Sequence, residues 1–134
     1  MAVRDPIVKL QAHAVTAGAK EAPTDATETN VRWPFSVCYP GKAKCTQGAG
    51  GSRKDIVRYE LALHVNRVHL PIDIKTVAAF YDAFITLLIA DPKLGGTVNT
   101  ILLDEGIDME FGKMEWAGIE TLGMKFTIPC KMES

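Results

Sequence analysis

The side chains most able to do chemistry in this chain are its three cysteines, Cys38, Cys45 and Cys130, and a close pair of histidines, His64 and His69. A structural zinc site takes its ligands in tight Cys or His pairs. Here six residues separate Cys38 from Cys45, and no His-x-x-x-His pair follows them. Cys45 with His64 or His69 would supply the elements of a thiol–imidazole couple, in which the ring takes the thiol proton. No nucleophile signature surrounds Cys45, so it reads as an exposed loop cysteine, with Cys38 and Cys130 as small core residues on strands. An odd cysteine count without an export signal predicts reduced thiols.

Two other chemistries come up and fall away. Asp104 with Glu105, or Asp108 with Glu110, has the composition of a hydrolytic carboxylate pair. Residues two apart on a strand share one face, however, and a half-exposed strand needs polar residues there in any case. Lys42, Lys44, Arg53 and Lys54 flank Gly48-Ala49-Gly50-Gly51, whose amides suit phosphate. The Gly-Lys-Ser/Thr ending and the helix that a phosphate loop requires are missing, and no aromatics interleave with the bases as in a nucleic-acid surface. No catalytic residue, metal site or cofactor site is expected.

The 134 residues suit one domain with one core, and 47% hydrophobic with 23% charged residues is an ordinary globular balance. A net charge of −1 conceals a segregation. Residues 32–75 hold eight bases against three acids, whereas residues 104–120 hold six acids against Lys113 alone. A chain polarised in this way can meet copies of itself through opposite charges. No secretory signal is read at the N-terminus, and the apolar run from Val77 to Ala90 is short for a bilayer, so synthesis in a cytoplasm is expected.

Asp5-Pro6 ahead of Ile7, Leu10 and Ala14 predicts a short peripheral helix that orders on assembly, with Asp5 as N-cap and Gly18 as stop. Residues 19–31 read as a loop or arm. Trp33 to Pro40 is a strand bounded by prolines, with Phe35, Val37 and Tyr39 on one face. Residues 41–54 read as a flexible loop, and Val57, Tyr59, Leu61, Leu63 and Val65 alternate with polar residues as a half-buried strand. Pro71 opens the main helix, which reaches about Ala90 with a core stripe of Ile74, Val77, Phe80 or Tyr81, Phe84 and Leu88. Ala78, Ile85 and Ile89 carry apolar surface beyond that stripe and are the candidate subunit interface.

Asp91-Pro92-Lys93-Leu94-Gly95-Gly96-Thr97-Val98 ends the helix and turns the chain toward a sheet. Asn99 to Leu103 reads as a strand or a helical turn. Ile107, Met109 and Phe111 alternate with acids, and Leu122, Met124, Phe126, Ile128 and Cys130 form a closing strand, the two segments making a hairpin near Ala117-Gly118. The fold class is α+β: a small antiparallel or mixed sheet of about four strands, one long helix packed across it, and a short N-terminal helix.

Read as a whole, the chain resembles the tail terminator (tail completion) proteins of long-tailed bacteriophages. The matching segments are Trp33-Pro34-Phe35-Ser36-Val37-Cys38-Tyr39-Pro40-Gly41, His64-Val65-Asn66-Arg67 with Leu70-Pro71, Asp91 through Val98, and Phe111-Gly112 through Trp116. Together they cover roughly residues 20–131, and the Asp-Pro-x-Leu-Gly-Gly segment is the most specific. The resemblance implies a single domain over 1–134, without catalytic residues, that forms a six-membered ring at the tail–neck junction of the virion. Such a ring caps the tail tube, ends tail growth and receives the head connector, while DNA passes through without specific binding.

On that implication Lys42, Lys44, Arg53 and Lys54 would reach the tube or connector. Asp104, Glu105, Asp108 and Glu110 would face the channel and repel DNA phosphates. A head-side stopper or adaptor, or another minor tail or neck protein, is the alternative. A small nucleic-acid-binding module is a further one.

Overall fold

The computed structural model describes residues 4–22, 33–47, 49–65, 70–116 and 118–133. Helix α1 (Asp5–Ala17) is followed by the strands β1 (Phe35–Gln47) and β2 (Arg53–Val65), then the long helix α2 (Leu70–Ala90). The strands β3 (Thr100–Ile101), β4 (Asp108–Trp116) and β5 (Ile119–Glu133) complete the chain. The fold is α+β, as the alternation of periods two and 3.6 indicates. All strand pairs are antiparallel, in the order β1-β2-β5, with β4 and β3 sharing the far side of β5.

Alternation along β2 decides which sheet face carries the helices. Val57, Tyr59, Leu61, Leu63 and Val65 are all buried and join one core with Phe126, Ile128 and Cys130 of β5. Helix α2 lies over β2 and β5, and α1 lies over β1 and α2. The buried line of α2 is Asp73, Val77, Phe80, Phe84 and Leu88, at the spacing of a single helical stripe. Ile74, expected on that stripe, is 44% exposed, because it sits one residue (about 100°) round from Asp73. Phe80 takes the core position, and Tyr81 lies half-buried with its ring stacked over Phe126 at 6.4 Å.

Helix α1 is more deeply built in than its narrow stripe suggests. Ile7, Leu10 and Ala14 belong to the core, and Arg4 rather than Asp5 occupies the N-cap. Gly18 closes the helix as expected, its N–H donating to the carbonyls of Ala14 and Val15. Gln11, buried on the same face, donates Nε2–H to the Ser36 carbonyl at 3.0 Å and accepts from Ser36 Oγ at 2.7 Å. That contact turns Ser36 and Cys38 toward the helices. Phe35, Val37 and Tyr39 do share a face, but it is the outer one. The register sets them opposite His64, Ala62 and Glu60.

The sequence expectation of a loop from Gly41 to Lys54 is corrected by the ladder. Strand β1 runs to Gln47 and β2 starts at Arg53, with pairs from Ala43↔Val57 to Gln47↔Arg53 and a bulge between Pro40 and Ala43. The far side of β2 is held as well, since Lys54, Asp55 and Ile56 pair with Glu133, Met132 and Lys131 of β5. Glycine and lysine content suggested a loop, but backbone pairing on both sides of β2 supplies the order that composition concealed.

The segment after α2 is a tight reversal. Asp91 is the first residue past the helix, and Leu94 (φ 46°), Gly95 (φ 65°) and Gly96 (φ 88°) all lie in the left-handed region. Leu94 accepts that conformation while fully buried in the core, where the turn meets α1. Asp91 locks the turn, accepting the Gly95 N–H at 3.0 Å and facing His13 Nε2 of α1 at 2.9 Å. These two contacts, the Gly95 amide first, hold the Asp91 carboxyl below its ordinary range.

A second buried patch lies on the outer face. His64 is stacked on Phe35 at 5.0 Å with Nδ1 2.8 Å from Thr121 Oγ1, and all three residues are buried. Burial pulls the His64 pKa down from 6.5 to about 4. Between those values the unfolded chain binds a proton that the folded chain refuses. Stability is therefore full above about pH 6.5 and falls by about 2–3 kcal/mol as pH drops toward 4. Asp91, with a depressed carboxyl, acts only below that window. Denaturant titrations between pH 4 and 7 should show the slope, and His64→Gln should flatten it; an unchanged slope would clear His64 of the effect.

Candidate functional site

The residues suggested for covalent chemistry do not assemble. Cys45 lies on β1 opposite Asp55 of β2. His64 is nine positions further along β2, roughly 30 Å away at the rise of a strand. His69 lies outside the described residues. The exposed Cys45 thiol is held above its ordinary pKa, chiefly by Asp55, and burial pushes Cys38 and Cys130 up to about 12. None of the three is poised as a thiolate. Among the described residues no group of three or more His, Cys, Asp or Glu side chains is placed to hold a metal ion.

Asp108 and Glu110 share the outer face of β4, opposite Thr127 and Lys125 of β5, and line a surface cleft with them. Lys125 meets Glu60 at 3.2 Å and Arg58 meets Glu105 at 3.3 Å. The acids of 104–110 are thus interleaved with bases across the sheet. Arg53 is taken by Asp55 at 2.9 Å and Lys54 faces Glu133 at 3.6 Å. Of the four bases around the glycine cluster, Lys42 and Lys44 remain without an ion pair among the described residues, and both stand on the exposed half of β1.

The three interface candidates of α2 lie on its outward side. Ala78 is exposed, Ile85 half-buried and Ile89 58% exposed. Ile74 extends the same line toward the start of the helix. Sequence reasoning missed a second part of this surface. Met109 and Phe111 pair with Phe126 and Met124 on the face that carries the helices, yet they are 39% and 46% exposed. The helices lie over β1, β2 and β5, so β4 overhangs them. The alternation of Met109 and Phe111 with acids was visible in the sequence, but their exposure was not, because it depends on which strands the helices cover.

Tyr81 links the two parts, lying against Phe126, the strand neighbour of Met109. Apolar side chains are thus exposed both on the outer side of α2 and on the β4 overhang. No helix among the described residues is long and apolar enough to cross a membrane. Compared with protein-family models and with curated proteins, the chain matches none.

Proposed function

We propose that this chain is a non-enzymatic structural subunit that assembles into a ring at the head–tail joint of a phage particle, closing the tail tube and offering the surface on which the head connector docks. The observation that carries the reading is the uncovered apolar surface of a single copy: Ile74, Ile89, Met109 and Phe111 are each between 39% and 58% exposed, and half-buried Tyr81 and Ile85 stand on the same side of α2 as Ile74 and Ile89. Single surface hydrophobics need no explanation, but two apolar groups exposed on one copy, one on α2 and one on β4, favour a contact with another molecule. The Trp-Pro-Phe strand and the Asp-Pro-x-Leu-Gly-Gly reversal supply the resemblance that names the assembly. That resemblance implies a small sheet flanked by helices, and the chain has such a fold.

Purified protein viewed by electron microscopy with and without tail tubes tests the proposal, rings at tube ends being the expected result. Ile89→Glu should leave the fold intact, within about 0.5 kcal/mol of wild type as for other exposed sites, and should abolish the rings. If Ile89→Glu unfolds the chain, that face is internal and not an interface. A nucleic-acid module is the competing class; tight DNA binding that weakens steeply with salt would favour it.

A further inference from the structure

Helix α1 carries an apolar stripe that its own chain leaves bare. Val8, Ala12 and Val15, at the i, i+4, i+7 spacing of one helix face, are all exposed, the two valines at 47% and 51%. Round the helix, the buried residues Leu10, Ala14, Ile7 and Gln11 lie between this stripe and His13, which reaches Asp91 at the end of α2. The stripe therefore looks away from α2 and out past β1, whose Ser36 holds Gln11. The opposite margin is bare in a complementary way. Tyr81 stacks on Phe126, the strand partner of Met109, so the flank of α2 that Tyr81 shares with Ile74, Ala78 and Ile85 is turned toward β4. Beside that flank, Met109 and Phe111 stand exposed on the face that carries the helices.

Two sets of contacts across the sheet put these margins at one level. Ser36, Leu63, Met124 and Phe111 form a single row. Gln11 is bonded to Ser36, so the middle of α1 stands at the level of Phe111. Toward the other end of the sheet, Arg58 lies opposite Pro129, whose carbonyl accepts the Leu102 N–H. Lys42, in the bulge between Pro40 and Ala43, flanks Arg58 on the β1 side, and Glu105, 3.3 Å from Arg58, lies in the turn that follows Leu102. Lys42 on one margin is therefore level with Asp104 and Glu105 on the other. Lys42 and Asp104 are both exposed and without an ion pair among the described residues. A copy turned about an axis along the strands keeps every level and every face. It brings both matches together at once, α1 beside β4 and the α2 flank, and Lys42 beside Asp104. At the level of β4 that copy presents α1 and residues 20–21, which flank the start of its β1, so no strand pairing between margins is involved.

We infer that copies of this chain join side by side through their helix layers, the Val8, Ala12 and Val15 stripe of one packing against Met109, Phe111 and the α2 flank of the next, with Lys42 meeting Asp104. The face of β4 that one copy leaves uncovered is covered by a helix of its neighbour. Apolar side chains sit at the centre of the contact and opposite charges at its rim, the arrangement of a specific interface. Charge selects a second copy as the occupant, because the placement that seats the helix also pairs Lys42 with Asp104. The contact is heterologous: it uses two different surfaces of each copy, and it builds a ring where the rotation closes. The inference rests on the ring reading above and specifies the contact that builds the ring.

Sedimentation of variants tests it. Ala12→Glu and, separately, Phe111→Glu place a charge inside the contact and should each weaken self-association about a hundredfold, with unfolding midpoints near that of wild type. Met109→Glu replaces Phe111→Glu should the latter unfold. Each variant keeps one sound surface, so an equimolar mixture should form one-to-one pairs and stop there, whereas neither protein pairs alone. Lys42→Glu and Asp104→Lys should each weaken association about tenfold. Combined in one chain they should restore it, because the two residues stand on opposite margins and meet only across copies. The inference is overturned if the mixture yields no pairs or if the combined charge swap restores nothing. Should Ala12→Glu leave association untouched while Ile89→Glu abolishes it, this contact falls and the ring reading stands. A wild-type chain that never self-associates, alone or with tail tubes, overturns both.

Discussion

Replacing Phe84 with alanine is expected to destabilise the chain by about 3–5 kcal/mol. Phe84 is fully buried, meets Phe126 edge-on at 5.0 Å and stacks on Phe80 at 5.3 Å. Phe80 also reaches Phe126, at 5.9 Å. These three rings are the main bond between α2 and the centre of the sheet. Alanine removes the middle of the cluster, and the backbones of helix and strand are too constrained to close the gap. Denaturant unfolding should show a lower midpoint with an unchanged slope. Ile89→Ala on the same helix should stay within about 0.5 kcal/mol of wild type in the isolated chain. A loss below about 1 kcal/mol at Phe84 would show that the helix is held elsewhere.

A single methyl group at Gly123 should be about as damaging, costing about 3 kcal/mol or more. Gly123 sits in β5 between His64 of β2 and Gly112 of β4. A Cβ there would fall on the Leu63 carbonyl oxygen and come within 2.6 Å of Met114 Cε. The methionine tip can swing aside. The carbonyl cannot, because it belongs to an inner strand paired on both sides. Gly112, directly across the ladder, provides the control, since a Cβ there meets nothing within 4 Å. Gly112→Ala should therefore be close to neutral, whereas Gly123→Ala should lower the melting temperature by many degrees. Equal effects at the two sites would refute the close approach of β5 to β2.

Both substitutions bear on how much of the molecule was legible in its residues. The buried stripe Val77, Phe80, Phe84 and Leu88 follows from helical spacing, and the reversal at Asp91 to Gly96 follows from Asp-Pro and paired glycines. The role of Asp91 itself was not legible, because its partner His13 lies on another helix, 78 positions away. Gly123 likewise reads as a weak point in a strand until the Leu63 carbonyl is found beside it. The two halves of the candidate surface divide in the same way. Ala78, Ile85 and Ile89 were visible as apolar residues beyond the core stripe, while exposure of Met109 and Phe111 depends on where the helices stop.

By itself, the sequence determined the element types, the alternating faces of β2 and β5, the turn out of α2 and the greasy outer side of that helix. Such properties reside in neighbours a few positions apart, where backbone sterics and the two periodicities act. Only the tertiary structure decided that residues 41–47 are strand, that Phe35 and His64 are buried on the outer face, and that one sheet margin is basic and the other acidic with β4 left uncovered. Those outcomes depend on which strands lie side by side, and strand order is set by contacts between residues distant in the chain.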